Sequence, residues 1–437
     1  MRTTALNESR EPGHRRRTTM ERLRREVEPR EAGLDPKTLA RLDAHLARQV
    51  DEGRLPGYLL SLARGGRVAH LTTYGHRDRE AGLPVETDTL WRVYSMTKPV
   101  TSVAALILVE EGRLSLTDPI SRYLPEFAEP RVYESGAGAD VRTRPAEQPI
   151  LVRHLLTHTS GLTFGFYYDH PVDALYRDAG LENSVRPGAT LAQTCAEYAR
   201  LPLQFEPGSQ WNYSVSTNVL GRIVEVVSGQ DLDAFFAERI LGPLDMADAG
   251  FQVGPEQAGR LAELYGEQED GSIAPVPGLP LRGGRPRFLS GSGGLAASAR
   301  DYHRFAEFLR RRGELDGVRL LSAGSVDMMT TNQLPGGVDI HTHGSPFHRQ
   351  PGNVGVGFGL GVSVVIDPAR TEHPSSLGTF GWTGAATTIF WVDPVRDLTV
   401  QFMTQVRRRS SFSVYPDLKR WVHEAVIQQP LRQGPLT

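Results

Sequence analysis

Segments that read as β-strand lie near the two ends of this 437-residue chain, while helical periodicity fills its middle. Near the start, residues 58–63 and 67–73 are strand-like and are joined by Gly65-Gly66, a pair that tolerates a tight primed turn. Near the end, residues 357–366, 386–392 and 398–404 are strand-like, with Asp393-Pro394 opening the turn between the last two. Between these groups, apolar spacing predicts helices over 96–112, 152–156, 191–201, 215–229 and 301–312. The Gly- and Pro-rich stretches 125–149, 267–286 and 334–352 read as loops. Strands from both termini satisfy their backbone groups by joining one antiparallel sheet. The expected class is therefore α+β. Its sheet is drawn from 55–75 and 355–405, helices flank it, and a helical region of about 76–345 is inserted.

Structure is expected to begin at Asp35-Pro36, an N-cap followed by a residue suited to the first helical position. Leu39, Leu42, Leu46 and Val50 then repeat at helical spacing until Gly53, and a last helix is expected over 416–428. The folded domain is placed at 33–428, between a flexible polar tail over 1–32 and a short tail over 429–437. The first tail is rich in arginine (Arg15, Arg16, Arg17, Arg22, Arg24, Arg25) with glutamates interleaved, and lacks the apolar core of a secretory signal. No stretch reaches the roughly 18 apolar residues of a membrane span. A cytoplasmic location is the expectation. A net charge of −2 gives no basic field to draw the chain to nucleic acid or to an acidic membrane. Cys195 is the only cysteine, which excludes an intramolecular disulfide framework, and its helical context reads as packing.

Only three lysines occur, Lys37, Lys98 and Lys419, among 49 lysines and arginines. A lysine kept inside an apolar stretch is informative in such a chain, because arginine cannot serve as a base. Lys98 belongs to Ser95-Met96-Thr97-Lys98, an S-x-x-K pattern at the head of the most apolar helix. Residues three apart share a helix face, so the amine can reach the Ser95 hydroxyl. Val100, Val103, Ala104, Leu106 and Ile107 bury the helix, and a desolvated amine becomes a better base.

Tyr213, in Trp211-Asn212-Tyr213-Ser214, lies where a loop enters an apolar helix and can place its phenol in a cleft. A neighbouring ammonium would stabilise its phenolate. From local chemistry alone the plainer reading is a buried tyrosine with its hydroxyl satisfied. Gly381-Trp382-Thr383-Gly384-Ala385 leads into the strand expected from residue 386. Glycine lets a strand edge approach a ligand, and an N–H there can pair with that of Ser95 around an oxyanion. The local pattern is equally that of a plain turn.

Together these three elements resemble the serine β-lactamase and penicillin-binding superfamily, and within it the family VIII carboxylesterases. Arg153-His154 through Ser160-Gly161-Leu162, Ser292-Gly293-Gly294-Leu295, Ser298 through Tyr302 and Phe390 through Pro394 are similar to stretches of that family in order and spacing. The resemblance spans about 33–428. It implies a β-lactamase-like fold, Ser95 as acylated nucleophile, and Lys98 and Tyr213 sharing the proton transfers. It also implies an oxyanion hole from the Ser95 and Ala385 N–H groups, and a pocket wall shaped by Trp382 and Gly384. Two departures bear on the substrate. The family's Tyr-x-Asn reads Tyr213-Ser214-Val215 here, and its Lys-Thr-Gly reads Trp382-Thr383-Gly384. Both remove polar groups suited to a charged amide, and Asn218, a turn beyond Val215, is not expected to substitute. The expected partner is a small-molecule carboxylic ester, and the chemistry needs neither cofactor nor metal. Acyl transfer to a small acceptor, weak β-lactamase or D-amino-peptidase activity, and a non-catalytic binding protein on the same fold remain the alternatives.

The absence of G-x-S-x-G argues against an α/β-hydrolase. His341, His343, His348 and Asp339 lie in a Gly/Pro-rich loop without the regular scaffold a metal centre needs, and that loop is expected at the pocket mouth. His154 and His158 read as structural histidines rather than members of a Ser-His-Asp triad, since a lysine and a tyrosine already supply the proton chemistry.

Overall fold

The computed structural model describes residues 22–186, 188–278, 281–407 and 414–427. Its main sheet has eight strands: β1 Gly57–Arg64, β2 Arg67–Asp78, β3 Leu83–Pro84, β4 Val356–Phe358, β5 Ser363–Val365, β6 Phe380–Gly384, β7 Thr388–Asp393 and β8 Leu398–Met403. The spatial order is β4-β5-β6-β7-β8-β1-β2-β3, and every pairing is antiparallel. The N-terminal hairpin is thus stitched to the C-terminal strands through β1 and β8, with Leu59 opposite Met403 and Arg64 opposite Leu398.

The strands β1, β7 and β8 are buried almost throughout because both sheet faces are covered. Alternate residues feed different cores. Tyr58, Leu60, Leu62, Ile389 and Trp391 pack with helices α1 (Pro36–Asp51) and α5 (Tyr415–Ala425). Leu59, Ala63, Phe390 and Val392 join the larger core on the opposite face. That core holds α2 (Thr97–Glu110), α3 (Ser216–Ser228) and α4 (Ala299–Arg310). Helix α1 begins as expected, with the Asp35 carboxylate accepting from the Lys37 and Thr38 N–H groups. At the β1–β2 turn Gly65 and Gly66 both take positive φ, 61° and 78°, the conformation a two-residue hairpin requires.

Several expectations need correction. Residues 125–149 contain a ladder of Arg131–Ser135 with Arg142–Pro145, where the Arg131 side chain holds Thr143 across the strands. Residues 267–286 likewise include the strand Ile273–Pro275, which pairs with Tyr265–Glu267. The strand expected over 357–366 is two strands, β4 and β5, because the chain reverses at Gly361. There φ is +91° and an added Cβ would fall on Ser102 Oγ, so the reversal lets the backbone press against α2. Residues 22–32, assigned to a flexible tail, lie against the sheet. Leu23 and Val27 are buried, and the Glu26 side chain accepts the Val68 N–H at 2.8 Å. Residues 1–21 and 428–437, which carry the rest of both expected tails, fall outside the described residues. Among the described residues no helix is long and apolar enough to cross a membrane.

Candidate active site

Ser95 lies in the single turn Tyr94–Met96 that leads into α2. Tyr94 adopts φ +45°, a sparsely populated conformation for a side-chain-bearing residue, and Gly293 lies close against its backbone. Helix α2 is apolar on every side, and Thr97 through Leu108 are all buried. Lys98 is consequently 1% exposed. Its Nζ lies 3.2 Å from Ser95 Oγ and donates to the Ser292 carbonyl at 2.9 Å. Burial holds the amine well below its ordinary pKa.

Tyr213 approaches from the start of α3. Lys98 Nζ stands 4.4 Å from the centroid of its ring. Its phenol faces Ser95 and the Trp382 indole, but neither contact closes into a hydrogen bond in this arrangement. Burial pushes the phenol up to about 12, against the opposing pull of those two neighbours. The expectation that an ammonium would hold Tyr213 as phenolate is therefore reversed: desolvation favours a neutral amine beside a protonated phenol.

The third element is itself a strand rather than the approach to one. Residues Phe380–Gly384 form β6, and Ala385 through Thr387 make the turn into β7. Gly384 is required there, since an added Cβ would fall on Thr388 Oγ1 and lie 2.5 Å from the Val93 carbonyl. Its absence lets β6 close on the segment that carries Ser95. Ala385 is exposed to the cleft, and among the described residues its N–H donates to no acceptor. Trp382 packs on Tyr213 with ring centroids 5.4 Å apart. Ser95, Lys98, Tyr213, Trp382, Gly384 and Ala385, named from the sequence, all line one cleft of about 1130 Å³.

The neighbouring residues settle several further points. Val215 is fully buried and does not line the cleft. Asn218 does line it, but its Oδ1 is committed to the Ser292 N–H at 3.0 Å and the Ser290 hydroxyl at 2.9 Å. His158 packs beneath Tyr213, 4.8 Å between centroids, and its Nδ1 accepts the Ser214 N–H at 3.3 Å. Burial, with Lys98 and His348 nearby, holds it well below its usual pKa. His154 accepts the Leu151 N–H, and burial lowers it to about 4. His348 lines the cleft, also held to about 4 by burial, whereas Asp339 caps the helix Ile340–His343 through the Thr342 N–H. Among the described residues no group of three or more His, Cys, Asp or Glu side chains is disposed to hold a metal. Cys195 is buried, and burial raises its thiol.

Sequence reading missed three parts of the site. The Ser292 carbonyl anchors Lys98, although the surrounding Ser-Gly-Gly stretch was visible. Asn218 fixes the loop that carries this carbonyl. An aromatic wall of Phe164, Phe166, Tyr167 and Phe347 is assembled from separate segments, with Phe164 and Phe166 stacked at 4.6 Å and Tyr167 against Phe347 at 4.7 Å.

The family model described as Beta-lactamase matches residues 42–420. Protein Rv1367c of Mycobacterium tuberculosis is 39% identical over 366 residues, covering 83% of this chain and 88% of that protein. Esterase EstB of Burkholderia gladioli is 34% identical over 397 residues, covering 86% of this chain and 93% of that protein. Among solved structures, EstCE1, described as a hydrolase with promiscuous acyltransferase activity, superposes with a TM-score of 0.73 at 28% identity, covering 90% of this chain and 99% of that one.

Proposed function

The chain belongs to the β-lactamase family, and on that premise we propose that it is a serine hydrolase cleaving carboxylic esters through an acyl-enzyme on Ser95. One observation carries the reading: a desolvated lysine amine 3.2 Å from a serine hydroxyl at the floor of a large cleft. In the proposed reaction Ser95 Oγ attacks the ester carbonyl carbon as its proton passes to Lys98 Nζ. The N–H groups of Ser95 and Ala385 bind the developing oxyanion. The tetrahedral intermediate collapses when the leaving alkoxide takes a proton, delivered by Tyr213 and replenished from Lys98. Water then attacks the acyl-enzyme and the same groups run in reverse. An ester is favoured over a β-lactam or peptide amide because Val215 and Trp382 stand at the two motif positions, and Asn218 has its amide oxygen engaged elsewhere. The similarity to EstB and EstCE1 supports the same reaction class.

The test is hydrolysis of a p-nitrophenyl ester series, with nitrocefin alongside. Ser95→Ala should abolish ester turnover in a folded protein, and a fluorophosphonate probe should label Ser95. Full activity in the variant ends the proposal. A second reading, acyl transfer to a small alcohol or amine, is favoured by the cleft's size, which leaves room for an acceptor beside the acyl group. Product analysis with mixed acceptors separates the two.

A further inference from the structure

The charged side chains that line the Ser95 cleft are all cationic. These are Arg186, Arg287 and Arg407, with no aspartate or glutamate among the described lining residues. A chain of net charge −2 has thus gathered one sign in this cleft. Low-dielectric walls focus such a field.

Two of the three arginines form no ion pair among the described residues. Arg186 stands 3.6 Å from the Glu197 carboxylate. Arg287 and Arg407, both exposed, form no ion pair among the described residues. The contrast within one segment is informative. Arg282 is paired with Glu263 at 2.7 Å, and Arg285 with Asp231 and Asp233 at 2.6 and 2.5 Å, yet Arg287, two residues on, lines the cleft and pairs with no carboxylate among the described residues. Glu267, on the strand beside Arg407, does not line the cleft.

Both arginines are tied to catalytic backbone. Arg407 follows Val406, whose N–H donates to the Ala386 carbonyl at 3.1 Å and whose carbonyl accepts the Thr387 hydroxyl at 2.8 Å. It is therefore fixed beside the turn that presents the Ala385 N–H. Arg287 leads into Ser290 and Ser292, the loop pinned by Asn218 and bonded to Lys98. The lining also carries the aromatic side chains Phe164, Phe166, Tyr167 and Phe347.

We propose that the preferred substrate is an ester whose acyl or alcohol portion ends in an anion, a carboxylate or a phosphate, held by Arg287 and Arg407. This deepens, and rests on, the acyl-enzyme reading of Ser95. Guanidinium groups match both anions through paired N–H donors, and charge-assisted contacts of this kind are the stronger ones.

The test compares p-nitrophenyl esters of equal chain length that end in methyl, carboxylate, phosphonate or trimethylammonium, each at several chain lengths. The intact protein should prefer the anionic esters over the neutral one and disfavour the cationic one. High salt should erode that preference. Carboxylate and phosphonate arms show which anion is held. In the double variant Arg287→Gln/Arg407→Gln the ratio of kcat/KM for the best anionic ester to that for the neutral ester should fall roughly 10- to 100-fold. Arg285→Gln removes a positive charge outside the cleft and should leave the ratio within about twofold. Neutral-ester hydrolysis that depends on Ser95, with no anion preference at any chain length or an unchanged ratio in the double variant, overturns this inference alone. Turnover that survives Ser95→Ala overturns the reading beneath it.

Discussion

Asn218 holds Ser292 from behind: its Oδ1 accepts the Ser292 backbone N–H at 3.0 Å, while the Ser292 carbonyl on the cleft side takes the Lys98 amine at 2.9 Å. The same oxygen accepts the Ser290 hydroxyl, so one buried amide sets the position of the loop against which the candidate base rests. Asn218→Ala strands a buried N–H and should cost about 1–3 kcal/mol of stability. Turnover should fall as well, because the Lys98 anchor loosens. A thermal melt with ester kinetics checks both, and an unchanged melting temperature would remove the anchoring role.

Tyr213→Phe should behave oppositely. The phenol is buried without a closed hydrogen bond, so its removal leaves no partner stranded. The ring contacts with Trp382 and His158 are kept. Stability should stay within about 1 kcal/mol of the parent or rise, while kcat for p-nitrophenyl butyrate falls roughly 100- to 10,000-fold, the range for loss of a positioned proton donor. A variant with near-normal kcat would remove Tyr213 from the proposed proton path.

Local signals made much of this legible. The start of α1 was written in Asp35-Pro36, the first hairpin in Gly65-Gly66, and the Ser95–Lys98 contact in a three-residue helical spacing. Tyr213 and the Gly381–Ala385 stretch were ambiguous in isolation and became informative only through their resemblance to a family pattern. What stayed hidden depends on non-local packing. The reversal at Gly361 is set by Ser102 on another element. The ladder over 131–145 is held by Arg131 and Thr143 across a Gly- and Pro-rich stretch. Leu23 and Val27 look like parts of a charged tail until the sheet supplies a surface for them.

The approach of β6 to the Ser95 segment predicts a steric result. In Gly384→Ala the new methyl group meets the Val93 carbonyl, a backbone atom two residues before Ser95. Rigid backbone cannot step aside as a flexible side chain can, so the turn and the Ala385 N–H must move. Small displacements of oxyanion donors are costly, and kcat/KM should fall at least tenfold, in keeping with a cost of roughly 100-fold or more for losing one donor outright. The rate of fluorophosphonate labelling should drop in parallel. Wild-type labelling would mean that the cleft absorbs the methyl group.

A second buried lysine offers a test of linkage away from the cleft floor. Lys419 Nζ sits 4.3 Å from the Trp391 ring centroid, and burial lowers its pKa to about 7, with Asp393 pulling weakly the other way. Unfolded, the amine titrates near 10.4. Between these values the unfolded chain binds a proton that the folded chain has released, so stability rises with pH across the window and the full penalty applies below about pH 7. Lys419→Met removes the penalty. The variant should exceed the parent in urea midpoint at neutral pH, and the gap should close towards about pH 10. A gap independent of pH would show that the amine does not titrate this way.

The same sign applies to Lys98, where it opposes function. Its folded pKa is depressed by desolvation, so the amine destabilises the fold at neutral pH, while its neutral form is the one able to take the Ser95 proton. Lys98→Met should therefore raise the melting temperature and abolish turnover together. Lys98→Arg should lose activity at every pH, because guanidinium does not deprotonate. In the parent, the rate of Ser95 labelling should fall on the acid side as Lys98 takes up its proton. It should persist on the alkaline side until Tyr213, pushed up to about 12, begins to ionise. A labelling rate that rises on acidification through the neutral range would mean that the protonated amine is the active form, and the base assigned to Lys98 would have to be sought elsewhere.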